Sequence, residues 1–287
     1  MKAWQDICPH PIQGRKQKPR ETGLTVIIDK GMGLQETEDL LRLSADYIDF
    51  IKLAFGTSAL YEEKLLREKI RLIQDFGIEV YPGGTFLEVA AVQGRVGEFM
   101  LHAKRLGFHV LEVSDGTIPM SADFRRELIQ HAHDLGFLVI SEVGKKHPAD
   151  RVPGSNIRQQ IEADLDSGVY KVIIEGRESG KGVVIFQEDG SIDEDELELL
   201  VERLPDPDVL IWEAPLKEQQ QDLLVRFGPN VNLGNIPPHE IIALEALRVG
   251  LRGDTLRTAL LTHPERFRPP LSLDLSDSKP GDENLNH

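Results

Sequence analysis

Residues 109–146 read HVLEVSDGTIPMSADFRRELIQHAHDLGFLVISEVGKK, and we interpret this stretch as one complete strand–helix–strand unit. Its two ends, HVLEVSDGT (109–117) and FLVISEVGKK (137–146), are mostly apolar on both faces until their last residues. This pattern is typical of parallel strands that are covered by helices. The segment between them spaces its apolar residues as a helix does, with Ser121 as the predicted N-cap and Gly136 as the stop. The unit predicts an α/β fold.

The same alternation of strand and helix recurs along most of the chain. Eight β-branched runs with helical segments between them occupy roughly 210 residues, which is the size of a barrel rather than of a doubly wound sheet. We therefore predict an α/β fold with a single domain, one (β/α)8 TIM barrel over residues 23–262. An open α/β sheet of eight strands is the alternative. The predicted strands are residues 24–31, 47–56, 78–85, 109–117, 137–146, 171–177, 209–215 and 231–236.

Two segments lie outside the repeat. Residues 1–22 are rich in proline and lysine, and we expect this N-terminal extension to pack over the bottom of the barrel or to lead into its first strand. Residues 263–287 have the composition of a disordered C-terminal tail. The first residues lack the apolar core of a signal peptide, and no run approaches the ~18 apolar residues of a membrane span. We therefore expect a cytoplasmic protein.

The net charge of the chain is −15, from 33 basic and 48 acidic residues. Such a charge disfavours nucleic acid and anionic membrane surfaces as partners, because both require a surplus of lysine and arginine. Any anionic substrate must then be held by a local cluster of cations. Cys8 is the only cysteine, which excludes an internal disulfide. We expect no nucleic-acid and no membrane partner, and we expect a homo-oligomer.

Charged and polar side chains are concentrated where the predicted strands end. Barrel enzymes have their active sites at this face, so these positions are candidates for function. Because side chains alternate along a strand, we expect Glu112, Glu142 and Glu175 at equal heights on three adjacent strands. Three such carboxylates suit Mg²⁺, a hard cation that prefers oxygen ligands. The other strand-end residues are Asp29, Lys30, Lys52, Ser114, Asp115, Lys145, Lys146, Arg177, Glu213, Asn232 and Asn235.

A purely structural alternative exists, in which the carboxylates form buried ion pairs with the nearby lysines and Arg177. Burying so many ions without a function is costly, so the whole set favours a functional site. The loop after the sixth strand, EGRESGKG (175–182), exposes backbone N–H groups at its glycines and adds the cations Arg177 and Lys181. We expect this loop to bind a phosphate or a sulfonate, and a surface turn is the alternative.

The chain resembles the phosphosulfolactate synthase family in motifs that run in order from about Gly23 to Thr255. The most specific of them are DKG, GTS, PGGT and EGRESGKG. The resemblance implies a lyase that adds sulfite to phosphoenolpyruvate with Mg²⁺ and gives (2R)-phospho-3-sulfolactate, within sulfolactate or coenzyme M biosynthesis. Ala54 and Phe55 depart from the archaeal pattern, which has Gly and Trp there, and could reshape the substrate pocket.

The reaction that the resemblance implies fits the residues found independently at the strand ends, where Lys146 shares a face of its strand with Glu142. Sulfite attacks the methylene carbon, and negative charge develops on the substrate carboxylate, where a metal would stabilise it. Lys146 and Lys52 are the expected catalytic residues, and Lys146 is the expected acid that protonates C2. The expected Mg²⁺ ligands are Glu112, Glu142 and Glu175. The expected substrate-binding residues are Lys30, Ser114, Lys145, Arg177, Lys181 and Asn235.

Two other functions stay open. The same barrel can add another nucleophile to another phosphorylated enol acid, because a fold alone does not fix function. Plant stress-associated proteins also resemble this family and are similar to protective or interaction proteins rather than to synthases. The presence together of Lys52, Lys146, Arg177 and the three glutamates favours an enzyme.

Overall fold

The structure, a computed structural model, describes residues 2–4, 6–147, 152–202, 204, 206–264 and 267. Within them, eight parallel strands form one sheet, as the sequence predicts. Each strand is shorter than its predicted run, mainly because the polar residues at the ends of the runs belong to loops. The strands are β1 (Thr25–Asp29), β2 (Phe50–Leu53), β3 (Glu79–Pro82), β4 (Val110–Ser114), β5 (Leu138–Val143), β6 (Lys171–Ile174), β7 (Leu210–Glu213) and β8 (Leu233–Ile236).

Helices connect each strand to the next in the described part of the chain. The connection from β3 to β4 contains two helices, and two more follow β8. Ser121 Oγ accepts a hydrogen bond from Phe124 N, which confirms the predicted N-cap. The helices are α1 (Leu34–Ser44), α2 (Glu63–Asp75), α3 (Gly84–Val92), α4 (Val96–Leu106), α5 (Ala122–Asp134), α6 (Gly154–Asp166), α7 (Glu194–Val201), α8 (Lys217–Phe227), α9 (Ile241–Arg248) and α10 (Gly253–Thr262).

The order of the strands closes the sheet on itself. Hydrogen bonds join the strands in the order β3-β2-β1-β8-β7-β6-β5-β4, so the first strand of the chain lies next to the last. The two strands at the ends of this order, β3 and β4, contact each other. The sheet is therefore a nearly closed barrel with helices outside it, which confirms the predicted (β/α)8 TIM barrel and excludes the open sheet.

Apolar residues pack on both sides of the barrel wall. The larger core lies between the strands and the surrounding helices. A smaller core fills the lumen with residues from β1 to β7 and with Leu24, which precedes β1. The buried charged residues Lys52, Glu142 and Glu213 each lie two residues further along their strand than a member of this core. The inner core consists of Leu24, Val26, Phe50, Tyr81, Val110, Ile140, Ile173 and Ile211.

The segment before β1 packs against the bottom of the barrel, at the amino ends of the strands. Arg15 Nε lies 3.0 Å from Glu245 Oε1, and Arg20 Nη2 lies 2.9 Å from Asp49 Oδ2. Both arginines contact both oxygens of their partner, and all four side chains are largely buried. Such two-point contacts fix geometry as well as contributing energy. These two ion pairs therefore attach the segment before β1 to the bottom of the barrel.

The predicted limits of the extension, the barrel and the tail stay predictions. Of the predicted tail, only residues 263, 264 and 267 are described, and the other residues of 263–287 lie outside the described part of the chain. Among the described residues, no helix is both long enough and apolar enough to cross a membrane.

Replacing Arg248 by methionine is expected to lower the free energy of unfolding by about 3 kcal/mol. Arg248 is fully buried and donates to the carbonyls of Pro229 (2.8 Å) and Val231 (2.7 Å), which would lose their partner. Urea denaturation measures the change. The control is Arg95→Met, whose side chain is 69% exposed, and it is expected to cost less than about 1 kcal/mol. Equal losses in the two variants would contradict the structural role of Arg248.

Candidate active site

Buried glutamates surround one lysine at the carboxyl ends of the strands. The side chain of Lys52, from β2, lies in the barrel lumen, with Nζ 2.7 Å from Glu142 Oε2. The same nitrogen is 3.1 Å from Glu112 Oε2 and 3.3 Å from Glu213 Oε1. The three glutamates come from β4, β5 and β7, and their side chains are at most 2% exposed. One amine therefore joins three strands across the lumen.

Lys146, on the loop after β5, is the second amine of the cluster. Its Nζ lies 2.8 Å from Glu142 Oε1 and 3.5 Å from Glu175 Oε2. It also lies 3.0 Å from Thr85 Oγ1 at the start of α3. The side chain of Lys146 is 29% exposed, compared with 10% for Lys52. Lys146 is therefore the more accessible of the two amines.

The donor set of the cluster fits a divalent cation. Oxygens of Glu142, Glu175 and Glu213 all lie within 4.8 Å of one another. Glu175 Oε2 accepts no hydrogen bond from the described residues, although it is buried. With Glu112, the cluster has four carboxyl groups and two amines, so it lacks two positive charges if every group is ionised. Mg²⁺ would supply this charge and accepts carboxylate oxygens as ligands.

The carboxyl groups shift one another's pKa. Burial, together with the charges of Glu142 and Glu213, raises the pKa of Glu175 well above its ordinary value. Burial also raises the pKa of Glu112 to about 7, with Lys52 opposing the shift and Glu142 reinforcing it. Both shifts favour the protonated form, which is how buried acidic groups respond when positive charge is insufficient.

The two amines are held in the charged form. Burial lowers the pKa of Lys146, but the carboxylates of Glu142 and Glu175 outweigh burial and raise it. The same competition raises the pKa of Lys52 well above its ordinary value. Burial would raise the pKa of Glu142, but Lys146 and Lys52 outweigh it and hold the pKa well below the ordinary value. Glu142 is therefore the fixed negative charge of the cluster.

The strand register contradicts the expectation that the three predicted metal ligands lie at equal heights, and Glu142 pairs with Ile173, so Glu175 lies two residues higher along its strand. Ser114, not Glu112, is the partner of Glu142 in the ladder between β4 and β5, so Glu112 lies two residues lower along its strand. Glu112 Oε1 instead accepts a hydrogen bond from the backbone N–H of Gly84. Glu213 completes the acidic trio in its place. In the sequence, the position of Glu213 at the end of the seventh predicted strand was the observation that could have identified it. That Glu112 binds the metal directly stays a prediction.

Two of the predicted substrate-binding lysines contact carboxylates outside the cluster. Lys30 Nζ lies 2.5 Å from Glu178 Oε1, and both side chains are about half exposed. Lys145 Nζ lies 2.6 Å from Asp115 Oδ2 and also donates to the Asp115 carbonyl. A substrate anion can bind either amine only in competition with these partners.

The other predicted anion-binding residues lie on or beside the loop after β6. Arg177 N donates to Glu175 Oε1 at 2.7 Å, and Arg177 O lies 3.5 Å from Asn235 Nδ2. The φ angles of Arg177 and Asn235 are 58° and 54°, a left-handed conformation that asparagine tolerates but that is uncommon for arginine. Such strain persists at functional sites because the surrounding structure enforces it. Lys181 is exposed on the same loop.

The Gly176 position allows this loop to approach the cluster. A Cβ there would lie 2.3 Å from the Glu213 carbonyl oxygen, so glycine is the residue that fits. Gly176 N donates to Glu213 Oε2 at 3.0 Å. The glycine thereby orients one member of the acidic trio.

In the absence of divalent cations, Glu112→Gln is expected to remove part of the pH dependence of stability. The pKa of Glu112 is about 7 in the folded protein, compared with an ordinary value of 4.5. Its contribution to the free energy of unfolding is therefore present at low pH and is lost as the pH rises through 7. The free energy of unfolding of the variant, relative to that of the parent, should therefore rise by about 3 kcal/mol between pH 4.5 and pH 8.

Urea denaturation in EDTA at both pH values measures this gain. Glutamine keeps an acceptor for the Gly84 N–H, but its NH₂ group then faces Lys52 Nζ, where the parent has a carboxylate oxygen at 3.1 Å. Glu98→Gln, at a side chain that is 72% exposed, is the control and should leave the pH dependence unchanged. If the free energy of unfolding changes with pH by the same amount in Glu112→Gln and in the parent, the raised pKa of Glu112 is contradicted.

Known proteins resemble this chain over most of its length. The profile of the (2R)-phospho-3-sulfolactate synthase family matches residues 13–254. Phosphosulfolactate synthase of Methanothermobacter thermautotrophicus is 47% identical over 245 residues, which cover 84% of this chain and 94% of that protein. The phosphosulfolactate synthase of Bacillus subtilis is 41% identical over 243 residues, which cover 84% of this chain and 95% of that protein.

Solved structures with a similar fold are distant in sequence. A phosphonopyruvate hydrolase superposes with a TM-score of 0.51 at 14% identity, over 87% of this chain and 88% of that chain. This likeness shows the barrel fold alone, whereas the profile and the curated relatives extend over most of the sequence. The chain belongs to the phosphosulfolactate synthase family.

Proposed function

We propose that this protein is an enzyme that adds sulfite to phosphoenolpyruvate in a Mg²⁺-dependent reaction and gives (2R)-phospho-3-sulfolactate. The family membership supports the product. The observation that carries the proposal is the position of Lys146 Nζ, 2.8 Å from Glu142 and 3.5 Å from Glu175 at the edge of the acidic trio. A proton donor beside a cation site is what such an addition requires.

Glu142, Glu175 and Glu213 would hold the Mg²⁺. When bound, Mg²⁺ supplies positive charge next to the substrate carboxylate, where negative charge develops. A bound cation would offset the charges of Glu142 and Glu175, which raise the pKa of Lys146, so this pKa would be lower in the loaded site than in the ion-free protein. Lys146 thereby becomes a better acid at neutral pH when the site is loaded.

Lys146 is the proton donor in this mechanism. The sulfur lone pair of sulfite forms a bond to the methylene carbon C3, and the electrons of the C2–C3 double bond move towards C2 and the carboxylate. Lys146 Nζ delivers a proton to C2, the phosphate ester stays intact, and the amine regains its proton from solvent. An amine held by Glu142 on one side of the site delivers the proton to one face of C2, which gives one configuration.

Two anions must meet in a chain with a net charge of −15. We expect Lys52, Arg177 and Lys181 to hold the phosphate and sulfite groups and to offset their repulsion. Arg177 is next to the acidic trio through Glu175, and Lys181 follows on the same loop. The backbone N–H groups of that glycine-rich loop add donors for phosphate oxygens.

The test is the consumption of phosphoenolpyruvate by the purified protein. The reaction is run with and without sulfite, and with Mg²⁺ or with EDTA, and the product is identified by its mass. A product with the mass of phosphosulfolactate that requires all three components is the expected result. Absence of consumption by the folded protein would contradict the proposal, and an unchanged Tm with Mg²⁺ and phosphoenolpyruvate would favour a non-catalytic relative.

A further inference from the structure

Glu88 is a buried carboxylate that has no role in the mechanism above. It lies on α3 and is 1% exposed. Glu88 Oε1 accepts a hydrogen bond from Ser114 Oγ at 3.0 Å. Glu88 Oε2 accepts from the backbone N–H groups of Thr117 (2.8 Å) and Ile118 (2.7 Å). The hydrogen-bond partners of this carboxylate are therefore two backbone N–H groups and one hydroxyl, and all three belong to β4 or to the loop that follows it.

This loop supports the side chain of Lys146. Lys146 N donates to Gly116 O at 3.0 Å, so the loops after β4 and β5 are joined by their backbones. A Cβ on Gly116 would lie 3.1 Å from both Cγ and Cε of Lys146, so the alkyl chain of the lysine packs against this glycine. Because Glu88 binds the next two residues, it fixes the surface against which Lys146 lies.

Ser114 provides a second route from Glu88 to the same lysine. Its Oγ lies 3.0 Å from Glu88 Oε1 and 3.0 Å from Glu142 Oε1. A hydroxyl group has one proton, so Ser114 donates to one of the two carboxylates at a time. Glu142 Oε1 is also the atom that lies 2.8 Å from Lys146 Nζ. Glu88 therefore competes for a proton with the carboxylate that holds Lys146.

We propose that Glu88 is a positioning residue for Lys146. It acts mainly through the backbone of residues 116–118, and the Ser114 hydroxyl contributes less. Glu88 does not contact the reacting atoms. Its consequence for catalysis rests on the proposed function, whereas the placement of Lys146 can be measured without turnover.

Two substitutions separate these routes. Both backbone N–H groups donate to the same oxygen of Glu88, so the carbonyl of Glu88→Gln can accept both of them. The glutamine NH₂ group would then face Ser114 Oγ and commit the Ser114 proton to Glu142. Glu88→Ala removes every contact. Glu88→Asp keeps the negative charge, but its shorter side chain places the carboxylate one methylene further from these partners. This variant replaces Glu88→Ala in the test if the alanine variant does not fold.

The first measurement is the rate at which acetic anhydride modifies Lys146 in the full chain, followed by peptide mass spectrometry. Lys64, an exposed lysine on α2, is the internal reference. Because the loop is released, Glu88→Ala (or Glu88→Asp) should raise the relative rate at Lys146 at least about threefold, whereas Glu88→Gln should leave it unchanged. An unchanged rate in the folded alanine or aspartate variant would overturn the proposal.

The second measurement is steady-state kinetics with phosphoenolpyruvate and sulfite. Glu88→Ala should lower kcat about 100-fold with KM within about twofold, and Glu88→Gln should retain most of kcat. Equal losses of kcat in both variants, or a loss that appears only in KM, would overturn the positioning role. If the parent has no turnover, the proposed function fails, and the labelling of Lys146 still decides the role of Glu88.

Discussion

Replacing Lys146 by methionine is expected to lower kcat at least about a thousandfold, because it removes the proton donor for C2. Methionine has a similar length and keeps the packing on Gly116, so the loop stays in place. KM for phosphoenolpyruvate should change much less than kcat, since other cations hold the substrate. Single-turnover measurements of phosphoenolpyruvate consumption separate this loss from slow product release.

The neighbouring lysine is the matched control for this experiment. Lys145→Met removes an amine that pairs with Asp115 rather than with the cluster, and it should cost less than about tenfold in kcat. Turnover of Lys146→Met within a factor of ten of the parent would exclude Lys146 as the acid. A larger loss in Lys145→Met than in Lys146→Met would assign that role to Lys145.

Glu175→Gln and Glu213→Gln are each expected to raise the Kd for Mg²⁺ at least about 100-fold, because each removes a charged oxygen from the trio. Isothermal titration with Mg²⁺ measures the affinity directly. Glu175→Gln should also stabilise the cation-free protein at neutral pH, since burial, Glu142 and Glu213 disfavour its ionised form. A substitution that weakens binding and strengthens the fold would be specific to a site built for a cation.

Glu112→Gln decides between the two possible ligand sets. If Glu142, Glu175 and Glu213 bind the ion, Glu112→Gln should change the Kd for Mg²⁺ by less than about tenfold. If Glu112→Gln abolishes binding and Glu213→Gln does not, the trio predicted from strand positions is correct, and the trio brought together by the structure is not.

The repeating pattern of strands and helices in the sequence was sufficient to predict the barrel fold. Parallel strands covered on both sides are apolar runs bounded by polar residues, and eight such runs with helices between them have few other ways to pack. The predicted strand ends were also sufficient to predict that Lys52, Glu142 and Glu175 lie close together. These residues face a common lumen because every parallel strand ends at the same face of the barrel.

What the sequence did not contain is the register between neighbouring strands. A shift of two residues keeps a side chain on the same face, so Glu112 and Ser114 were equally compatible with alternation, and only the ladder places Ser114 beside Glu142. Glu88 carries no sequence signal at all. It lies in an apolar helix, and its backbone partners Thr117 and Ile118 are 29 and 30 residues away.

The position of β1 between β2 and β8 has a consequence for biosynthesis. Leu24 N donates to the side chain of Asn232, which is 208 residues later in the chain, and Arg15 pairs with Glu245, which is 230 residues later. At roughly 5–20 residues per second, the nascent chain carries one unpaired edge of β1 for about 10–40 s before its partner strand is made. Exposed strand edges promote association between chains. The acidic surplus of the finished protein gives little protection during this interval, because residues 1–180 contain 23 basic and 27 acidic residues and most of the surplus is synthesised after them.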